Sequence, residues 1–106
     1  EIGYYAVTVN ANDVAVRGAE PRWFGVTLLL PEGKADAALA EAVFAQVVTA
    51  CEEVGVSLVG GHTEVTAGLD RPIAIGVMVG EVPADRVIRT AGAKVGDAVI
   101  LTKGIA

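Results

Sequence analysis

The stretch from 56 to 66 constrains the fold more than any other part of the chain. An apolar run at 56–59 (VSLV) is followed at once by GGHTE at 60–64. The pattern predicts a buried strand over 56–59 that delivers polar side chains at its C-terminal end, where ligands of α/β proteins commonly bind. Glycines there permit unusual backbone angles and let a ligand approach the main chain closely. The alternative is an ordinary Gly-Gly turn between two strands.

A second polar group, Asn10, Asn12 and Asp13, interrupts an apolar segment near the start of the chain. Alternating valines on both sides of this group favour a β-hairpin over residues 4–19. Helical spacing would instead place Asn10, Asp13 and Arg17 on one face. Residue preferences alone leave both structures open.

The remaining segments indicate a single α+β domain. Residues 23–30 predict a strand with two apolar faces, both expected to be covered. Residues 36–54 predict a helix with Asp36 as N-cap and Gly55 just after its end. A long strand is expected at 73–82, with one face of Ala and Gly that leaves room for close packing. A helical turn near 84–86 and a short strand at 98–102 complete the prediction.

Composition excludes several classes of function. The net charge of −5, without clustered Lys or Arg, argues against non-specific nucleic-acid binding. No apolar run reaches the roughly 20 residues of a membrane helix. The single cysteine, Cys51, is expected to be a small buried hydrophobe and is compatible with a reducing cytoplasm. A hydrophobic content of 53% in 106 residues predicts contact with another protein surface, either a second copy or further parts of a longer chain.

We expect residues 1–106 to be one partial domain. Glu1 is not a start Met, and the chain stops directly after a strand-like run.

Several short motifs follow one another in an order known from one family. They are NDVA at 12–15, GAEP at 18–21, GGHT at 60–63, the strand from Ile73, and TKG at 102–104. In this the chain resembles the N-terminal domain of the aminoimidazole ribonucleotide (AIR) synthetase superfamily, which includes HypE, thiamine-monophosphate kinase and selenophosphate synthetase. The resemblance covers nearly the whole chain and leans toward HypE-like, AIR-synthetase-related proteins.

The resemblance implies a fold, cofactors and partners. The implied fold is a mixed sheet of about four strands with two main helices on one face, and residues 4–19 are then a helix. The implied cofactors are ATP and Mg²⁺, and the implied partner is a second copy whose strands join across the interface. A glycine-rich segment upstream of Glu1 and a C-terminal domain beyond Ala106, which completes the substrate pocket, are also implied.

Site residues carry over position by position. Asp13 matches the family's aspartate that helps hold Mg²⁺ and the ATP phosphates, a role that suits a hard oxygen ligand. Asn12 matches its polar neighbour, which contacts the nucleotide or shapes the loop. Gly60, Gly61 and Thr63 match the strand-end turn beside the phosphates.

His62 departs from the family, which usually has Asp or Glu at that position. Glu64 shares a side with His62 in an extended segment and could supply the missing carboxylate. A His-x-Glu pair could instead bind a transition metal.

Two functions follow from these residues. The first is the ATP-binding part of an enzyme that activates or phosphorylates a substrate oxygen, inactive as the 106-residue piece alone. The alternative is a non-catalytic interaction or dimerisation module that keeps the fold.

Overall fold

A computed structural model describes residues 1–102, and it contains two helices and three strands. In chain order they are α1 (Ile2–Ala15), β1 (Glu20–Pro31), α2 (Ala37–Val54), β2 (Ser57–Thr66) and β3 (Ile73–Glu81), followed by a 3₁₀ turn at Ala84–Arg86. The strand order is β2-β1-β3, with β1 parallel to β2 and antiparallel to β3. The predicted α+β class with a mixed sheet is confirmed. In the described part of the chain, no helix is both long and apolar enough to cross a bilayer.

Within residues 1–102 the sheet has three strands, so the expectation of about four is wrong for this part of the chain. The missing strand is the one predicted at 98–102, where Val99 is 100% exposed and Leu101 68% exposed. An apolar run becomes a strand only when a neighbouring strand takes its backbone hydrogen bonds. Within residues 1–102 no strand lies beside this run. Lys103 and Gly104 of the closing motif lie outside the described residues.

Residues 4–19 illustrate how packing decides between two local structures. The hairpin favoured by the alternating valines is wrong, and the helix implied by the family resemblance is confirmed as α1. α1 packs against the Ala and Gly face of β3, as the small residues on that strand predicted. A Cβ placed on Gly76 would lie 2.6 Å from both the Phe24 ring and the Asn10 amide nitrogen. Only glycine at this position lets the helix approach the sheet so closely.

The core lies between the two helices and one face of β1. Alternate side chains of β1 point into it, because successive residues of a strand face opposite sides. Both helices therefore cover the same face, as the predicted architecture requires. The buried core residues are Ala6, Val7, Phe24, Val26, Leu28, Val43, Val47, Ala50, Cys51 and Val56.

The ends of α2 are formed by the predicted residues. The Asp36 carboxylate accepts a hydrogen bond of 2.7 Å from the backbone N–H of Leu39, which caps the first turn. Gly55 follows the last turn in the left-handed conformation, with φ of 79°. The two helices are joined directly, since the Gln46 side chain accepts a hydrogen bond of 3.2 Å from the backbone N–H of Gly3.

The second face of β1 is open, so the prediction that both faces are covered is wrong for the described residues. Trp23, Ile75, Val77 and Val79 lie on this open face and are 39%, 51%, 63% and 51% exposed. These four side chains form an exposed apolar patch on one surface of the sheet.

β2 runs through the glycines instead of ending before them. The predicted strand at 56–59 continues to Thr66 and is largely exposed, so the prediction that it is buried is wrong. Neither the strand-end turn implied by the family resemblance nor the alternative Gly-Gly turn is present. A bulge in the pairing lies between Phe24 and Gly25, beyond which Gly25 faces Gly60 and Val26 faces Gly61. A Cβ on Gly61 would strike the backbone carbonyl of Val26, whereas a Cβ on Gly60 meets nothing within 4 Å. The glycines therefore keep β2 paired with β1 past the bulge.

We predict that Gly61→Ala destabilises the protein more than Gly60→Ala. Both glycines have positive φ, 157° and 155°, which costs a side-chain-bearing residue about 1 kcal/mol or more. Only Gly61→Ala adds a collision with the β1 backbone, which raises its cost to about 3 kcal/mol. Urea denaturation of the two variants and the parent measures the difference. Equal free energies of unfolding for the two variants would contradict the close β1–β2 contact.

Candidate functional site

Asp13 lines a cavity of about 480 Å³ at the C-terminal end of α1. The chain leaves α1 after Ala15 and turns at Gly18, which has φ of 75°. The segment after β3 then returns to this turn, where the backbone N–H of Ile88 donates a hydrogen bond of 3.0 Å to the Arg17 carbonyl. The cavity lining is Asp13, Val16, Arg17, Ile88, Arg89 and Thr90.

The three polar residues of the N-terminal group have different surroundings. Asp13 is exposed, because its side of α1 faces away from the buried Ala6, Val7 and Ala11. Asn12 is also exposed but does not line the cavity. The Asn10 amide donates a hydrogen bond of 2.8 Å to the Ala6 carbonyl of its own helix and lies against β3. Asn10 therefore has a packing role, and Asp13 is the member of the group that faces a cavity.

The Gly60–Thr63 segment lines a different cavity, of about 430 Å³, between α2 and β2. Most of the side chains that line it are apolar. Phe44 of α2 forms one wall and is 46% exposed. The full lining is Val26, Leu28, Phe44, Leu58, Val59, Gly60, Gly61, His62 and Thr63.

Side chains alternate along this segment, so Thr63 and His62 face opposite sides of the sheet. Thr63 pairs with Leu28 on the helix-covered face and lines a hollow with Phe44. On the open face, His62 pairs with Thr27 of β1, and Glu64 pairs with Leu29 of β1. The His62 Nε2 lies 3.6 Å from the Glu64 carboxylate, and the two side chains are 65% and 59% exposed. The prediction that His62 and Glu64 share a side is confirmed.

The structure does not bring the two predicted halves of the site into one cavity. Asp13 lies at the end of the helix that packs on β3, and Gly60–Thr63 lies on β2. These strands are opposite edges of the sheet, with β1 between them. The Asp13 cavity and the Gly60–Thr63 cavity are therefore two separate candidate ligand sites.

The donor atoms beside Asp13 fit a phosphate-bound Mg²⁺ better than a metal held by protein alone. Mg²⁺ is commonly bound by one or two carboxylates together with substrate phosphates and waters. Asp13 supplies one carboxylate, and Arg17, Arg89 and the Thr90 hydroxyl supply donors for phosphate oxygens. Across residues 1–102, no group of three or more His, Cys, Asp and Glu side chains is positioned to hold a metal ion. His62 and Glu64 are accordingly a pair without a third such ligand in that range.

Sequence reasoning missed Arg89 and Thr90 and did not assign Arg17 to the site. The helical spacing of Asp13 and Arg17 was a usable signal, because residues four apart are neighbours on a helix. No spacing in the sequence indicates that Arg89 lies near Asp13. Its position depends on the hydrogen bond between Ile88 and Arg17, which joins residues far apart in the chain.

Comparison with known proteins identifies the family. The N-terminal domain of AIR synthase related proteins matches residues 1–82 of the chain. The chain belongs to this family. It is similar to the carbamoyl dehydratase HypE of Cupriavidus necator, with 38% identity over 104 residues, which covers 96% of the chain and 29% of that protein. It is also similar to the thiamine-monophosphate kinase of Salmonella typhimurium, with 33% identity covering 96% of the chain and 30% of that protein.

The fold agrees with the family. A crystal structure of the hydrogenase maturation protein HypE in complex with ATP superimposes with a TM-score of 0.75 and 34% identity. The match covers 82% of the chain and 26% of that HypE chain. The recognition made from the short motifs is thereby confirmed. The chain spans less than a third of the length of these relatives.

We predict that Cys51 is unreactive in the folded protein. It is 3% exposed, and burial raises the pKa of its thiol, so little of the nucleophilic thiolate forms near neutral pH. Alkylation by iodoacetamide at pH 8 should be at least about tenfold slower in buffer than in urea, because it requires local opening. Equal rates in the two solvents would show that Cys51 is not part of the core.

Proposed function

We propose that this chain is the ATP- and Mg²⁺-binding N-terminal domain of an enzyme that activates or phosphorylates a substrate oxygen. The observation that carries the proposal is the similarity, over 82% of the chain, to a HypE solved with ATP. The charged cavity beside Asp13 supports it, because carboxylate and guanidinium groups together suit a metal-bound phosphate. The rest of the longer protein would supply the substrate pocket.

The predicted residues on α1 and β2 would contact different parts of Mg-ATP. The Asp13 carboxylate would hold Mg²⁺ against the nucleotide phosphates, and Asn12 would contact the nucleotide from the same helix. When bound, the metal neutralises phosphate charge and polarises the phosphoryl oxygens. Gly60, Gly61 and Thr63 would form a second wall that excludes water and contacts the nucleotide through the backbone.

The separation of Asp13 from Gly60–Thr63 favours a site completed by other parts of the assembly. We propose a homodimer formed through the open face of the sheet. Trp23, Ile75, Val77 and Val79 form an apolar patch there, and such patches on soluble domains commonly mark protein interfaces. A two-fold axis would bury the same patch of both copies.

The open face also favours the second candidate function, a non-catalytic dimerisation or interaction module. His62 in place of the family's carboxylate agrees with loss of catalysis. In that case the apolar face would remain functional while the Asp13 cavity would bind no nucleotide. The two candidates therefore differ in one measurable property, Mg²⁺-dependent ATP binding.

We predict that Asp13→Asn in the full-length protein weakens Mg-ATP binding about tenfold to a hundredfold. The substitution keeps the side-chain shape but removes a charge contact worth roughly 1.5–3 kcal/mol. Calorimetric titration with ATP at fixed Mg²⁺ measures the change. Asp70→Asn, in the exposed turn before β3, removes the same charge elsewhere and should leave the affinity unchanged. Parent-like binding by Asp13→Asn would refute the metal-site assignment.

His62→Asp restores the family's carboxylate and is expected to strengthen Mg²⁺-dependent ATP binding. Glu64→Gln should then matter less in the His62→Asp background than in the parent, because Glu64 is no longer the substitute carboxylate. All of these titrations are run at one fixed pH. Unchanged affinity in His62→Asp would show that β2 does not contact the bound metal.

We predict that Val77→Glu converts a homodimer into a monomer. Val77 lies in the middle of the open face and is 63% exposed, so the charge is tolerated in the free chain but not in a buried apolar interface. Sedimentation velocity compares the variant with Val9→Glu, which places the same charge on the exposed side of α1. A parent protein that is monomeric at high micromolar concentration would rule out the proposed dimer.

A further inference from the structure

His62 and Glu64 are a pair of metal-ligand side chains that the fold does not need. The His62 Nε2 lies 3.6 Å from the Glu64 carboxylate, which is too long for a hydrogen bond. Both side chains are more than half exposed, and even an ion pair so open to water contributes little to folding. Neither residue belongs to the buried core. The imidazole and the carboxylate are therefore available to a ligand.

The backbone of β2 sets the two side chains beside each other. Residues two apart in a strand project from the same side, and pairing with β1 keeps His62 and Glu64 in this arrangement. In the strand order β2-β1-β3, β2 is at the edge of the sheet. The pair thus lies beside the apolar patch of β1 and β3 and not within it. Only side-chain torsions have to adjust when a ligand binds.

No basic side chain competes with a bound cation at this position. Across residues 1–102, the Glu64 carboxylate has no Lys or Arg nitrogen within 4.0 Å. By contrast, Arg22 bridges Glu20 and Glu81 at the other end of β1. The neighbours of the pair in the same two rows of the sheet are all uncharged: Thr27, Leu29, Ile73 and Ile75. The pair is therefore open to a cation from solution.

The separation of the two ligand atoms suits a tetrahedral transition metal. Zn²⁺ binds imidazole nitrogen at about 2.0–2.1 Å and carboxylate oxygen at about 2.0–2.2 Å, which puts two ligands of a tetrahedral site about 3.3–3.5 Å apart. The observed distance of 3.6 Å lies close to this range. Octahedral Mg²⁺, with bonds of about 2.0–2.1 Å, needs neighbouring ligands about 2.8–3.0 Å apart. The pair is thus spaced for Zn²⁺ more closely than for Mg²⁺.

The donor atoms on β2 also disagree with the magnesium that the family resemblance implies. Mg²⁺ prefers oxygen ligands and gives up its waters reluctantly, whereas imidazole is a good ligand for Zn²⁺, Ni²⁺ and Cu²⁺. His62 stands where the family usually has a carboxylate, so Glu64 is the only hard oxygen ligand of the pair. Ligand chemistry and ligand spacing therefore both favour a transition metal.

We propose that His62 and Glu64 bind a divalent transition metal of the Zn²⁺ class at the edge of the open face, with waters in the remaining coordination positions. A closed structural zinc site has four protein ligands, and residues 1–102 contain no group of even three such side chains. The site is accordingly open to solvent, and its metal exchanges. This inference goes beyond the proposed ATP- and Mg²⁺-binding function, because it needs neither Asp13 nor a nucleotide.

Titration of the full-length protein with zinc chloride tests the site. Calorimetry at one fixed pH, on protein without a histidine tag, compares the parent with His62→Gln, Glu64→Gln and the control Glu53→Gln, which removes an exposed carboxylate from α2. Losing a residue that only supports a metal ligand typically costs about tenfold to a hundredfold in affinity. We therefore expect each of the first two changes to weaken Zn²⁺ binding at least about tenfold and the control to match the parent. Circular dichroism verifies that each variant is folded.

Two further variants test whether one metal is shared by both side chains. The double variant of His62→Gln and Glu64→Gln should bind Zn²⁺ about as weakly as either single variant, because the two ligands act on the same ion. His62→Asp should lower the ratio of Zn²⁺ affinity to Mg²⁺ affinity, because a hard carboxylate replaces the imidazole. Additive losses, or an unchanged ratio in His62→Asp, would contradict the shared site.

Three other results would overturn the proposal. They are no Zn²⁺ binding by the parent at high micromolar concentration, parent-like binding by both His62→Gln and Glu64→Gln, or an equal loss in Glu53→Gln. Titration of the parent with Mg-ATP separates this proposal from the ATP-dependent function. If Zn²⁺ binding depends on the pair but Mg-ATP does not bind, the metal site stands and the ATP-dependent function fails. Mg-ATP binding without Zn²⁺ binding gives the reverse conclusion.

Discussion

The approach of α1 to β3 is the contact on which the rest of the structure depends. Gly76 and Gly80 on the helix-facing side of β3 leave no side chain in the way, so the helix lies directly on the strand. This placement fills the space above Phe24 and brings Val7 into the core. It also sets the C-terminal end of α1 beside the segment that follows β3. The charged cavity at Asp13 is therefore a direct consequence of how closely the helix packs.

The three-stranded sheet separates two chemically different surfaces. One face carries the helices and the core, while the other presents an apolar patch on β1 and β3 and the His62–Glu64 pair on β2. The Asp13 cavity and the Gly60–Thr63 cavity lie toward opposite edges of the covered side. A ligand that needs both would have to meet them through another part of the protein or a second copy. A dimer through the open face would leave both cavities on its outer, helix-covered sides, so the proposed dimer and the proposed nucleotide site are separate hypotheses.

Gly61 has a role in the fold as well as the role in the site that the family resemblance implies. In the family resemblance its place is beside phosphates, and in the structure it is also the only residue type that fits against the Val26 carbonyl. A loss of ATP binding on changing this glycine would therefore mix a fold effect with a site effect. Asp13 is better suited to functional tests, because it is exposed and makes no contact on which the core relies.

The sequence by itself determined the elements whose signals are local. The helix at 37–54 follows from its apolar stripe, its Asp36 cap and Gly55, and the strands around Phe24 and Ile75 follow from alternation. The motif order also determined the family. Local residue preferences left the structure of residues 4–19 open, although the family resemblance implied the helix that is found at Ile2–Ala15. Only the tertiary structure decided that β2 continues through its glycines and that residues 98–102 are not a strand. Each of these structures depends on contacts with residues distant in the chain. α1 packs on β3, and Gly61 packs against β1. Within residues 1–102 no strand lies beside Val99 to pair with it. Arg89 joined the site for the same reason, since a hydrogen bond between distant backbone groups leaves no periodic trace in the sequence.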